Sequence, residues 1–142
     1  MKLYLSTSSY RETSREPYSD DSWDRGDTST SWHFGGISLE KPIGEFEYIE
    51  VGDDFDVTGN IYLVLAVWST GDSFGNNDGA CCEIFAAYNN REDAEKAETL
   101  LSTATNAFKK VNLPNGYEIS FIPWLGYFES LDYTKIIEGS IE

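Results

Sequence analysis

The sequence contains few of the residues from which catalytic and metal centres are usually built. Its 142 residues include a single histidine, His33, and only two cysteines, the adjacent Cys81 and Cys82. One histidine cannot form the cluster of ligands that a zinc site requires. Adjacent residues of a strand point to opposite faces, so we expect no disulfide between the two cysteines. This usage is typical of a reducing cytoplasm, and we predict a cytoplasmic location, no metal site and no cofactor.

Basic residues are also scarce. The chain has 10 lysines and arginines against 25 aspartates and glutamates, which gives a formal net charge of −15. The acids are spread along the chain, so they form a charged shell rather than a tail. Such a surface repels nucleic acids and anionic membranes and attracts basic proteins, so we expect no direct nucleic-acid partner. The alternative interpretation is that the acidic surface only keeps the protein dissolved.

Long apolar runs are absent, and no stretch reaches the roughly 18 residues that a membrane-spanning helix needs. The chain turns polar after Leu5, so we expect neither a signal peptide nor membrane association. Aromatic residues are plentiful by contrast, with 9 Tyr, 8 Phe and 4 Trp. A chain of this length and composition can bury a sizeable core, and we predict a single domain over residues 1–142.

Hydrophobic periodicity predicts several strands and one helix. The run at 60–70 is the most apolar and is rich in β-branched residues, which favours a central strand buried on both faces. The alternation at 45–51 is imperfect, as in an edge strand. Asn90 is a suitable N-cap for a helix of about 20 residues ending near Val111. Further strands are predicted at 2–8, 31–39 with a bulge at Gly35-Gly36, 80–88, 117–124 and 133–141, with a long polar loop or flap at 9–31.

This order of elements favours an α+β fold. We predict a mainly antiparallel sheet with one long helix packed on one face, because the helix carries a single apolar stripe. The strand at 80–88 is expected to pair with the strand at 60–70 as a hairpin.

The loop of that hairpin, STGDSFGNNDG at 69–79, has glycines and hydroxyls that a phosphate site could use. It lacks the lysine and the following helix of a P-loop, and its aspartates repel an anion. Its oxygen ligands do not follow the spacing of a calcium loop. The loop is therefore predicted to be a hairpin connection, with contact to a ligand or partner as the alternative.

No motif predicts catalysis. His33 lies between Trp32 and Phe34, where a histidine is more often a half-buried strand residue than a base, and no nucleophile elbow is present. Carboxylate pairs could act as acid and base, but among 25 acids some lie close by chance. We predict a protein that is not an enzyme. The candidate ligand- or partner-binding residues are Arg25, Trp32, His33, Ser69, Thr70, Asp72, Ser73 and Phe74.

The segments SWHFGG, VWSTGDSFG, YNNREDAEKAE and GYFESL, in this order, resemble those of small uncharacterised bacteriophage proteins. Such accessory proteins often disarm host enzymes or defence systems by binding. The resemblance implies a similar activity here, and it carries over no functional residue.

Three functions are consistent with these observations. The first is a binding protein that inhibits or redirects a host or defence protein, with mimicry of DNA by its carboxylates as the extreme form. The second is a sponge for a small nucleotide, held by the 69–79 loop and an aromatic ring such as Trp32 or Trp23. The third is a hydrolase that uses paired carboxylates and a metal. The oligomeric state is left open, a homo-oligomer included.

Overall fold

A computed structural model describes residues 1–14, 27–71, 77–126 and 129–141. Within these residues the chain forms eight strands and one α-helix, and all strand pairs are antiparallel. The predicted α+β fold with one helix packed on antiparallel sheet is thereby confirmed. The elements are β1 (Lys2–Ser14), β2 (Asp27–Ser38), β3 (Phe46–Glu50), β4 (Ile61–Gly71), β5 (Asn77–Tyr88), α1 (Arg91–Ser102), β6 (Val111–Asn112), β7 (Glu118–Ile119) and β8 (Glu129–Gly139).

The long strands divide into two three-stranded sheets rather than one continuous sheet. The first sheet has the order β2-β1-β3 and the second has the order β5-β4-β8, while β6 and β7 form a small separate pair. β3 is an edge strand and β5 pairs with β4 as a hairpin, as the sequence predicts.

The inner faces of the two sheets pack against each other. Leu3 and Leu5 from β1 meet Leu63 and Leu65 from β4 in one buried cluster, and all four side chains are fully buried. Alternate residues of each strand supply this core because side chains of a strand alternate between faces. The two sheets therefore form a sandwich.

The helix covers the opposite face of the second sheet. Val64 and Ala66 of β4 pack with Ala94, Ala97 and Leu101 of α1 in a second buried cluster. β4 thus carries core residues on both faces, which confirms the prediction for 60–70. The fold therefore has three layers, which are the first sheet, the second sheet and the helix.

Two glycines produce the expected irregularity in β2. The register with β1 shifts between the pairs Leu5–Ile37 and Thr7–Phe34, so that Gly35 and Gly36 together oppose Ser6. A Cβ atom on Gly35 would lie 3.0 Å from the Cβ atom of Ser6. Gly35 therefore permits a close approach of the strands at the bulge.

The helix is shorter than predicted. Its start is correct, because the Asn90 side chain accepts a hydrogen bond from the Asp93 amide over 2.8 Å. Its end is at Ser102 rather than near Val111. The hydroxyl of Thr103 donates to the Thr99 carbonyl over 2.7 Å, and Thr103 adopts non-helical dihedral angles. Side-chain hydrogen bonds of this kind compete with continuation of the helix. The apolar residues beyond residue 103 keep a helix-like spacing in the sequence, but they do not lie in the helix.

The loop predicted at 9–31 is wrong for all of its described residues, 9–14 and 27–31, which lie in strands. β1 continues to Ser14 and pairs with the start of β2 at Asp27, while 15–26 lie outside the described residues. The pairing includes Thr13 opposite Thr28, and threonine favours strands. Apart from Tyr10, this stretch is polar in sequence, so no apolar alternation reveals the strands.

The C-terminal strands also differ from the prediction in their bounds. The segment predicted at 117–124 forms only the two residues of β7, followed by a 3₁₀ turn at Pro123–Leu125. Proline has no amide hydrogen to donate to a ladder, which limits strand continuation here. β8 begins at Glu129, four positions before the predicted start at 133.

Candidate functional site

The structure places the candidate residues of the second sheet at the end of β4. Ser69 Oγ donates a hydrogen bond to Asp132 Oδ2 on β8 over 2.7 Å. Thr70 pairs with Gly79 and Glu129 in the backbone ladder. Ser69 thus already has a structural partner. Asp72, Ser73, Phe74 and Arg25 lie outside the described residues.

Trp32 and His33 lie on β2 of the first sheet, opposite Ser9 and Ser8. Trp32 is half-buried and packs against the core between the sheets, and its buried Nε1 atom has no hydrogen-bond acceptor within the described chain. His33 is a strand residue, as expected, but it is exposed rather than half-buried. Its exposure follows from the alternation of strand side chains, because the neighbouring Trp32 points towards the core.

The two groups of candidates share one end of the sandwich. Lys135 Nζ on β8 lies 5.6 Å from the ring centroid of Phe34, and Ile37 lies close to Gly139. β2 therefore runs alongside β8, and its first residues lie at the end where β4 finishes. The candidates are nevertheless carried by different sheets.

A different feature, which the sequence did not reveal, is a surface groove whose carboxylates have no basic partner in the described chain. A groove of about 490 Å³ opens between the edge strand β3 of the first sheet and the edge strand β5 of the second. We call it the acidic groove. Its lining residues are Glu47, Tyr48, Ile49, Glu50, Trp68, Cys81, Cys82 and Glu83.

Glu47 points into the sandwich rather than out to solvent. It pairs with the fully buried Leu5 of β1, and cross-strand partners share a face of the sheet. Partial burial raises the pKa of Glu47, and the negative charge of Glu83 raises it further. Glu83 is exposed and pairs with Ala66 of the helix-facing cluster, although partial desolvation of its carboxylate also raises its pKa. Neither carboxylate forms a salt bridge with a basic group of the described chain.

The thiol of Cys82 closes the inner wall of the groove. Cys82 is buried, and burial, followed by Glu47, Glu83 and Cys81, raises the pKa of its thiol to about 12. It is therefore protonated at neutral pH and is a poor nucleophile. Cys81 packs towards the helix-facing cluster and Cys82 towards the sandwich core, and no disulfide joins them.

The acidic groove is suited to hold a cation. No set of three or more His, Cys, Asp or Glu side chains that could hold a metal ion occurs among the described residues. The ring of Tyr48 is half exposed at the rim and already contacts an ammonium group of the chain, because Lys2 Nζ lies 4.9 Å from its centroid. A basic side chain would give the partly buried carboxylate of Glu47 a partner in place of the water contacts that burial removes, and Glu83 would add its charge from the exposed rim.

A second groove, along α1, offers a contrast. It measures about 690 Å³ and includes Glu92, Glu95, Lys96 and Leu100 in its lining. Glu95 is already paired with Arg91 over 3.2 Å, and Lys96 adds a positive charge. Its charges are largely balanced within the chain, whereas those of the acidic groove are not.

Comparison with known proteins returned no relative. No protein-family model matches the chain, and neither a curated protein nor a solved structure matches it significantly. Among the described residues no helix is long and apolar enough to cross a membrane. The assignment of a function therefore depends on the geometry of the acidic groove.

Proposed function

We propose that this chain is a non-enzymatic binding protein that holds a basic surface of a host or defence protein and thereby inhibits or redirects it. The observation that carries the proposal is the pair Glu47 and Glu83, two uncompensated carboxylates in one groove. A partner's arginine or lysine would relieve their mutual repulsion. The resemblance to small bacteriophage proteins implies the same class of activity, in the cytoplasm of an infected cell.

The overall charge supports the same conclusion. A net charge of −15 steers a basic partner towards the chain over long range. Imitation of DNA on a basic groove is the extreme form of this binding. The acidic groove then supplies a local contact in addition to the general attraction.

Affinity capture with a matched set of variants tests the proposal. The wild-type chain, the double variant Glu47→Gln with Glu83→Gln, and the control Glu40→Gln are immobilised and exposed to bacterial lysate. Glu40 is exposed and does not belong to the residues that line the acidic groove. We expect a basic protein to be retained by the wild type and by the control but lost from the double variant. Equal retention by all three would contradict the proposal.

Salt dependence of the purified complex gives a second test. Raising the salt from about 50 to 500 mM shortens the screening length severalfold, so a complex held by carboxylates should weaken by at least tenfold. An affinity that does not change with salt would exclude electrostatic mimicry.

The alternative function, a sponge for a small nucleotide, concerns the loop at 69–79, of which residues 72–76 lie outside the described residues. It is tested by thermal unfolding with a panel of nucleotides, since a ligand that binds only the folded state raises its melting temperature. A shift with one nucleotide that Ser69→Ala abolishes would favour the sponge.

A further inference from the structure

The layer that covers the second sheet differs in charge from the rest of the chain. α1 and the segment that follows it pack on the same sheet face in the second buried cluster. We call residues 91–122 the helix layer. It has five acidic and four basic side chains, whereas the rest of the chain has 20 acidic and six basic ones. The helix layer is therefore nearly neutral, on a protein with a net charge of −15.

An exposed aromatic pair lies on the surface of this layer. Phe108 is 81% exposed and Phe121 is 46% exposed, and their ring centroids are 5.6 Å apart. The backbone beneath them is held in place, because the Ile122 amide donates to the Ala107 carbonyl over 2.9 Å and both of these residues are buried. Lys109 follows Phe108 and forms no salt bridge in the described part of the chain. We call Phe108, Lys109 and Phe121 the aromatic knob.

The groove along α1, which we call the helix groove, belongs to the same layer. Its lining also includes Thr99 of α1 and, from the segment after the helix, Asn112, Leu113 and Pro114. Neither phenylalanine of the aromatic knob lines it. Glu92, which does, forms no salt bridge among the residues that the structure describes. A groove of about 690 Å³ has room for an aromatic side chain.

We propose that two copies of the chain associate through their helix layers, with the aromatic knob of each copy in the helix groove of the other. Knob and groove belong to one layer, so a twofold axis lets the same surface serve both copies. Burial of the rings against Leu100 and Leu113 removes apolar surface from water. The knob also brings Lys109 to a groove that carries Glu92, so the charges of the two surfaces are complementary.

Charge favours a second copy as the occupant of this surface. Two chains of net charge −15 repel each other, and the repulsion is weakest where each presents a nearly neutral surface. A basic partner is drawn instead to the strongly acidic remainder, where the acidic groove lies. The two grooves share no lining residue, so a dimer would carry two acidic grooves. The self-association does not depend on the proposed function, but it would let one dimer hold two basic surfaces.

Sedimentation equilibrium of the full chain tests the inference. Wild type, Phe108→Ser, Leu100→Glu and the control Ile43→Ser are compared from about 1 to 300 μM protein, a range that reveals micromolar association. Ile43 is fully exposed but lies between β2 and β3, outside the helix layer. We expect the wild type and the control to form dimers, and the other two variants to associate about tenfold or more weakly. The replaced side chains are exposed, so the variants should fold, which circular dichroism checks.

A mixture of the two weakened variants tests the arrangement of the dimer. Phe108→Ser keeps its groove and Leu100→Glu keeps its knob, so one of the two contacts can form between them. Association should therefore be tighter in the mixture than in either variant alone. A wild type that stays monomeric throughout, a dimer that neither variant weakens, or a mixture no tighter than its components would overturn the inference.

Salt separates this association from the proposed function. Added salt screens the repulsion between the like net charges of two copies, so we expect it to strengthen the wild-type dimer. The complex with a basic partner should instead weaken, as argued above. A dimer that dissociates as salt is raised would be held by charge rather than by the aromatic knob, and would contradict the inference.

Discussion

Glu83 on β5 raises the pKa of Glu47 on β3, although the two residues belong to different sheets. Partial burial of Glu47 is the larger cause of the shift. Both causes mean that ionisation of Glu47 costs folding free energy. The ionised acidic groove therefore lowers the unfolding free energy of the protein. Sites of this kind occur more often at functional positions than elsewhere in a structure.

The chain should become more stable as the pH falls from 7 towards the ordinary pKa of 4.5 for glutamate. The folded-state pKa of Glu47 lies above its unfolded value, so the folded state binds more protons in this window. At a pH above the pKa of Glu47 in the folded state, the full cost of ionising Glu47 lowers the stability. At a pH below its pKa in the unfolded state, this cost is absent. Glu47→Gln should remove the cost and raise the unfolding free energy at pH 7 by about 0.5 kcal/mol.

Urea unfolding at pH 7 and pH 5 checks this prediction. The relevant quantity is the difference between the wild type and Glu47→Gln, which should shrink at pH 5. Glu40→Gln serves as the control for loss of one negative charge. A Glu47→Gln variant that is less stable than the wild type at pH 7 would show that the carboxylate has a stabilising partner.

The two glycines of the β2 bulge should respond differently to alanine. A Cβ atom on Gly35 would press against Ser6, whereas one on Gly36 would meet nothing within 4 Å. We expect Gly35→Ala to destabilise the protein by about 1 kcal/mol. Gly36→Ala should be neutral or stabilise it by about 0.5 kcal/mol, because alanine restricts the unfolded chain. Chemical unfolding of the two alanine variants measures the difference between their unfolding free energies. Equal effects of the two substitutions would contradict the geometry of the bulge.

The elements that the sequence predicts well are those with a strong local signal. The apolar run at 60–70 became the doubly covered β4, and Asn90 begins α1 as a cap. Where only the regular spacing of apolar residues indicates a helix, the prediction makes the helix too long. Phe108 continues the apolar spacing of the helix but is 81% exposed and lies beyond its end.

The division into two sheets and the acidic groove depends on contacts between distant parts of the chain. Alternation places Glu47 on the same side as Ile49 and Val51, which was the one available sign that it points inward. Nothing in the sequence pairs it with Glu83, because each belongs to the edge of a different sheet. Because the chain has 25 acidic residues, the sequence does not indicate which two of them lie close together in the fold.

The cap of α1 gives a prediction about stability alone. The Asn90 side chain accepts from the Asp93 amide and donates to its carboxylate over 2.9 Å. Asn90→Ala should cost about 1 kcal/mol, because an N-terminal amide loses its acceptor. Asn90→Ser should restore most of this, since serine is also a good cap. Thermal and urea unfolding measure both variants, and an alanine variant as stable as the wild type would contradict a role for the cap.

Cys82 should be inert to alkylation in the folded protein. Its thiol pKa of about 12 leaves, at pH 8, about a thousandfold less thiolate than an ordinary cysteine, and the side chain is only 7% exposed. The variant Cys81→Ser isolates this thiol, and mass spectrometry after treatment with iodoacetamide follows its modification. We expect modification only after unfolding in urea. Because Glu47 and Glu83 contribute to the raised pKa, Glu47→Gln in the same background should speed the reaction modestly. Rapid labelling of the folded Cys81→Ser variant would mean that the inner wall of the acidic groove opens to solvent.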